Sequence, residues 1–138
     1  MESPYSDYPT AAQTHGDNLG MPGPLFQRTA IKLAQRMSGA DLYEFGPVRV
    51  IPTLRCPLMV IHGTEDLFVA RKDMDAVEAA TQSRPPEAGP TVYWRLPDTH
   101  HVLALRTDPA EFQRRVGSFL DDAMAFRRGQ SVPLEAGT

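Results

Sequence analysis

The run Leu58-Met59-Val60-Ile61 constrains this chain more than any other stretch. Pro57 precedes it and Gly63 follows it closely. No polar residue alternates with the apolar ones, so a strand built here needs cover on both faces, as a central parallel strand does. A second run, Thr91-Val92-Tyr93-Trp94-Arg95-Leu96, is rich in β-branched and aromatic residues and is stopped by Pro97. Tyr93 and Trp94 point to opposite faces, and at least one of them belongs in a core.

Helical patterns surround these runs. Ala70 to about Gln82 places Met74, Val77 and Ala80 on one face. Phe26, Ala30, Leu33 and Met37 form an apolar stripe opposite Arg28, Lys32, Gln35 and Arg36, and Ser38-Gly39 ends that helix. The last helix has the clearest start. Asp108 is an N-cap, Pro109 suits the first helical position, and Glu111 completes a capping-box pattern. Phe112, Val116, Phe119, Leu120 and Ala123 form its expected buried stripe, with Arg114 and Arg115 off it and Arg127 and Arg128 just past its end.

Helices and strands therefore alternate, the pattern of an α/β fold with a parallel sheet. Two parallel strands leave both sheet edges unpaired and cannot cover their own faces. The chain reads as the end piece of a larger α/β sheet, or as one that needs a partner chain at its edge.

The 13 prolines and 10 glycines of the 138 residues cluster at the two ends and at element boundaries. Residues 1–24 are expected to be extended or disordered unless another surface holds them, residues 25–127 to be folded, and residues 128–138 to be a flexible tail. Asp41 to Arg55 reads as a connection, because Pro47 and Pro52 forbid a long helix. A net charge of −3 gives no basic excess for nucleic acid or an anionic membrane surface. The single cysteine, Cys56, excludes an internal disulfide framework and is expected as a small buried residue at a strand entrance. No stretch approaches the ~20 apolar residues that span a bilayer. Met1-Glu2-Ser3-Pro4-Tyr5 lacks the features of a secretory signal, so a cytoplasmic protein is expected.

Two loops concentrate the chemistry. His62-Gly63-Thr64-Glu65-Asp66 follows the first strand and Asp98-Thr99-His100-His101 follows the second. Functional groups of open α/β sheets gather at the carboxyl ends of the strands, and adjacent strands would bring an acid and a histidine together there. Each residue also has a plainer reading. Asp66 could cap a helix or close a turn, and Glu65 is a solvated neighbour or an alternative acid. His100 is the alternative histidine. His62 is expected to pack or hydrogen-bond at the strand end, and His15 to be exposed. A metal held by Asp66, Asp98, His100 and His101 is disfavoured, because adjacent histidines do not easily share one ion. Cys56 lacks a histidine partner that would make it a nucleophile.

These loops carry a resemblance. Arg55-Cys56-Pro57-Leu58-Met59-Val60-Ile61-His62-Gly63-Thr64-Glu65-Asp66 resembles the segment of α/β-hydrolase-fold enzymes that bears the acid of the catalytic triad. Thr99-His100-His101-Val102-Leu103-Ala104-Leu105 is similar to the segment that bears the triad histidine, with His100 replacing the usual small residue. The resemblance runs from Gly46 to Met124. It implies that residues 25–127 are the C-terminal part of an α/β-hydrolase domain, esterase- or lipase-like. They would hold the last two strands and flanking helices of a doubly wound parallel sheet. Asp66 would be the catalytic acid and His101 the general base. The implied reaction is hydrolysis of an ester, thioester or amide in a small-molecule acyl substrate, without metal or organic cofactor.

The family's nucleophile turn, Gly-x-Ser-x-Gly, is absent from this sequence. Ser3, Ser6, Ser38, Ser83 and Ser118 have no glycine at either required position, and Ser131 has Gly129 on one side but Pro133 on the other. The expectation is a truncated hydrolase, inactive alone, that needs a missing N-terminal half or a partner chain. The alternative is a non-catalytic remnant that pairs through its open sheet edge.

Overall fold

The computed structural model describes residues 1–21 and 23–129. The expected tail beyond Gly129, Ser131 included, lies outside the described residues. In chain order the elements are α1 (Tyr8–Asn18), α2 (Pro24–Ser38), a single helical turn α3 (Pro47–Val50) that runs into a 3-10 turn (Ile51–Thr53), and β1 (Leu58–Gly63). Then come α4 (Arg71–Gln82), a second 3-10 turn (Pro86–Ala88), β2 (Thr91–Leu96), the short α5 (Ala104–Thr107) and α6 (Pro109–Arg127).

β1 and β2 pair in parallel, with Leu58 opposite Thr91 and Gly63 opposite Leu96. The mixture of helices with a parallel sheet is an α/β architecture. All of β1 is buried, as its unbroken apolar run requires. Leu58 and Val60 face one cluster with Ile51, Val77 and Ala80, and Tyr93 packs against its margin. Met59 and Ile61 face the other cluster, with Trp94, Leu96 and Ala104. Phe112, Val116 and Phe119 bring α6 onto that second face, so each side of the sheet has a helical cover.

α6 starts as its sequence dictates: the Glu111 N–H donates to the Asp108 side chain at 3.0 Å. The second half of the capping box does not form. Glu111 instead accepts from Arg114 and Arg115, and the Asp108 N–H donates to the Ala104 carbonyl. The expected buried stripe of α6 is only partly shielded: none of its residues is fully buried, Phe112, Val116 and Phe119 pack against the sheet cluster, and Leu120 stands half exposed. Arg115, expected off the buried face, lays its guanidinium 4.9 Å from the Trp94 ring centre.

The first residues depart from expectation. Residues 8–18 are helical, because Asp7 accepts the Thr10 N–H at 2.8 Å and Pro9 suits the first turn. Residues 1–3 are held by a surface. The Met1 ammonium donates to the Met59 carbonyl, Ile61 N–H to the Met1 carbonyl and Ser3 N–H to the Ile61 carbonyl. Glu2 thereby makes a parallel bridge to Ile61 on the outer edge of β1.

α2 forms where the periodicity places it, with Gly39 left-handed at its end (φ 72°). Its expected buried stripe is nevertheless exposed: Leu33 is 58% and Met37 80% accessible. Among its described side chains Gln27 and Ile31 are the buried ones, and the helix rests on α1. Periodicity identifies an apolar face but not what will cover it. An apolar groove of about 320 Å³ lies between α1 and α2, lined by Tyr8, Ala12, Met21, Phe26, Ile31 and Ala34 among others.

Arg84 ties the entrances of both strands together. It donates to the carbonyls of Leu54, Cys56 and Ala88 and to Thr91 Oγ1. Cys56 turns its carbonyl inward to this guanidinium and is exposed rather than buried, because β1 starts only at Leu58.

Candidate functional site

The carboxyl ends of β1 and β2 meet in one interlocked pair of loops. Thr64 N–H donates to the Leu96 carbonyl, Glu65 N–H to the Thr99 carbonyl, and Asp98 N–H to Thr64 Oγ1, each at 3.0 Å. Gly63 makes the close approach feasible: a Cβ there would stand 2.1 Å from the Thr99 carbonyl oxygen. Thr99 is buried, and its hydroxyl donates to the Pro97 carbonyl.

Asp66 sits at the start of the turn that leads into α4. Its Oδ1 accepts from the Phe68 and Val69 N–H groups at 2.8 and 3.0 Å. The turn-closing role expected of Asp66 is therefore real, and it engages one carboxylate oxygen. The other oxygen, Oδ2, lies 2.8 Å from His101 Nδ1. The Asp66 side chain is fully shielded from solvent, whereas that of His101 is 35% accessible. A carboxylate can only accept, so His101 Nδ1 carries a proton, and in the neutral ring Nε2 presents its lone pair. Nε2 has no hydrogen-bond partner among the described residues. The Phe68 ring stands edge-on to the imidazole, with centres 5.1 Å apart.

This arrangement can do one thing chemically. An imidazole held in one tautomer by a buried carboxylate can take a proton at Nε2 and return it, while the carboxylate stabilises the imidazolium.

The other polar residues take separate roles. His100 points its Nδ1 at the Glu65 carbonyl, 2.9 Å away, so the adjacent histidines diverge. Glu65 is exposed and reaches His100 through its main chain only. His62 is fully buried, with Nε2 at 2.7 Å from the Pro4 carbonyl and Nδ1 at 2.7 Å from Tyr93 Oη. Burial lowers its pKa from the usual value of 6.5, against the opposing pull of the Pro4 carbonyl. The Tyr93 phenol is raised to about 12, again by burial first. His15 is exposed, as expected, but it is helical and its ring meets Phe68 edge-on at 5.2 Å. Asn18 donates to the Leu67 carbonyl at 2.6 Å, so α1 is fastened to the loop that carries Asp66.

Two participants escape the sequence reading. Ser3 Oγ accepts from the Val102 N–H at 3.3 Å, and Glu2 Oε1 accepts from the Ala104 N–H at 2.9 Å. Neither is near the histidine loop in sequence, so no motif could have revealed them. Among the described residues no serine, threonine or cysteine side chain hydrogen-bonds to the His101 ring.

No helix among the described residues is long and apolar enough to cross a membrane. No protein-family model matches the sequence, and no curated protein matches it. A solved structure does share its fold. An esterase of Pyrococcus furiosus superposes with a TM-score of 0.60 at 20% sequence identity, over 89% of this chain. The chain spans 44% of that esterase's length, and at this identity the likeness is one of fold: part of the fold of an esterase is present here.

Proposed function

We propose that this chain carries the acid and the general base of a serine-hydrolase-like active site on the C-terminal part of an α/β-hydrolase fold. The observation that carries the reading is the 2.8 Å bond from His101 Nδ1 to the shielded Asp66 Oδ2. The fold shared with an esterase supports it. In the complete reaction His101 Nε2 takes the proton of a hydroxyl nucleophile as that oxygen attacks an ester, thioester or amide carbonyl. The imidazolium then protonates the leaving group, and water repeats the cycle on the acyl-enzyme. The nucleophile comes from residues outside this sequence, either upstream or on another chain. The 138-residue chain alone hydrolyses nothing.

The test has two parts. The purified chain is assayed on a simple aryl ester, and the native product is sized in its own cells with an antibody to residues 109–127. Inactivity of the chain, together with a native product about twice this length whose esterase activity is lost in Asp66→Asn and His101→Ala, supports the proposal. Turnover by the chain alone that His101→Ala abolishes would overturn the missing nucleophile. An inactive native product of this length favours a second reading, a non-catalytic module that pairs through its sheet edge. That reading draws on the sheet having only two strands among the described residues, with the outer edge of β1 bonded by residues 1–3 and by no further strand.

A further inference from the structure

We propose that Ser3 is a positioning residue for His101. His100 to Leu103 form a turn closed by the Leu103 N–H on the His100 carbonyl, with His101 second in the turn and Val102 third. Val102 has φ 54°. A left-handed third residue in such a turn favours glycine, and a β-branched residue is among the worst choices for it. Burial does not hold Val102 there, since it is 51% accessible. Such a conformation persists only when its surroundings over-determine it.

The surroundings here are the first residues of the chain. Ser3 is buried and fastened by its own N–H to the Ile61 carbonyl at 2.8 Å, and its hydroxyl accepts the Val102 N–H. Glu2 Oε1 takes the Ala104 N–H just beyond the turn. His101 is thus gripped twice from β1 and its loop: at the ring by Asp66, and through the following peptide by Ser3, which Ile61 holds. Without the second grip the turn is free to relax toward negative φ at Val102, which swings the imidazole off Oδ2. The inference rests on Asp66 and His101 being the acid–base pair. Its test needs no substrate, so failure to find hydrolase activity leaves it standing or falling on its own.

The measurement is solvent exchange of the His101 Nδ1–H proton by NMR in the full ¹⁵N-labelled chain, with the Val60 amide as a core reference. Ser3→Ala is expected to speed Nδ1–H exchange about two- to tenfold, the worth of one hydrogen bond, while Val60 is unchanged. Val102→Gly removes the strain, so the same Ser3→Ala change in that background is expected to have less than half the effect. An unchanged Nδ1–H rate overturns the proposal, as does a rise matched at Val60 or an equal effect in both backgrounds. Should Ser3→Ala fail to fold, Glu2→Ala releases the other side of the turn. Faster Nδ1–H exchange there with Val60 steady shows that the turn is held from residues 2–3, and Ser3→Thr, which keeps the hydroxyl, is then expected to leave the Nδ1–H rate unchanged; no change in Glu2→Ala together with a faster rate in Ser3→Thr overturns the proposal.

Discussion

The phenol of Tyr93 stands between His62 Nδ1, at 2.7 Å, and the Met74 carbonyl, at 3.0 Å. It has one proton to donate. The Pro4 carbonyl can only accept, so His62 Nε2 is protonated, and in the neutral ring Tyr93 donates to Nδ1. Because burial lowers the His62 pKa, the unfolded chain binds more protons than the folded one below pH 6.5. The stabilisation from a neutral His62 is complete above that pH and is lost as pH falls through the folded value. Urea midpoints measured across this range should decline on the acid side. Tyr93→Phe should cost about 1 kcal/mol at neutral pH by leaving Nδ1 unpaired.

Asp66→Asn should reverse the tautomer of His101. The amide oxygen can keep the Phe68 and Val69 N–H groups, which turns its NH₂ toward Nδ1. His101 then carries its proton on Nε2, and imidazole ¹⁵N shifts report the exchange. Loss of a charge-assisted bond should also lower stability by about 1.5–3 kcal/mol in urea. Shifts unchanged from wild type would mean that Asp66 does not set the tautomer.

Gly63→Ala tests how tightly the two loops interlock. Its methyl would fall 2.1 Å from a backbone oxygen, which cannot swing aside as a side chain does. Destabilisation of about 3 kcal/mol or more is expected, with the Glu65 and Thr64 amides losing exchange protection first.

The chain's single tryptophan reports on the face under α6. Arg115→Ala should change the Trp94 emission and cost about 0.5–1 kcal/mol, since the guanidinium lies over the ring. Arg128→Ala is the control: its guanidinium bonds the Met124 carbonyl at the exposed end of the helix, and the emission should not move.

α2 offers a contrast within one helix. Ile31→Ala should destabilise by about 2 kcal/mol or more, whereas Leu33→Ser should stay within about 0.5 kcal/mol. A large loss from Leu33→Ser would show that something covers this stripe in solution.

Local chemistry carried much of this architecture in legible form. The unbroken apolar run, the Asp108-Pro109 start of α6 and the inward Met74, Val77 and Ala80 each depend on neighbours in sequence. The meeting of Asp66 with His101 was legible because strand-end loops of adjacent parallel strands must lie side by side. The helix over residues 8–18 was obscured by prolines and glycines, although Asp7 caps it as Asp108 caps α6, with Pro9 one position further into the first turn than Pro109. What covers the stripe of α2 was not legible, because a helix face does not name its partner. Ser3 was illegible for a plainer reason: it bonds across 99 positions, through a hydroxyl that any exposed serine also carries.

Arg84 has a consequence for where this molecule is tough. Its partners are three main-chain carbonyls and a hydroxyl, and no carboxylate among the described residues pairs with it. A guanidinium seated on neutral oxygens has no counter-ion for salt to screen and no partner that acid can neutralise. The strand entrances should therefore stay fastened in brine and in acid, and acid should act first at the opposite end of the sheet, where buried His62 lies.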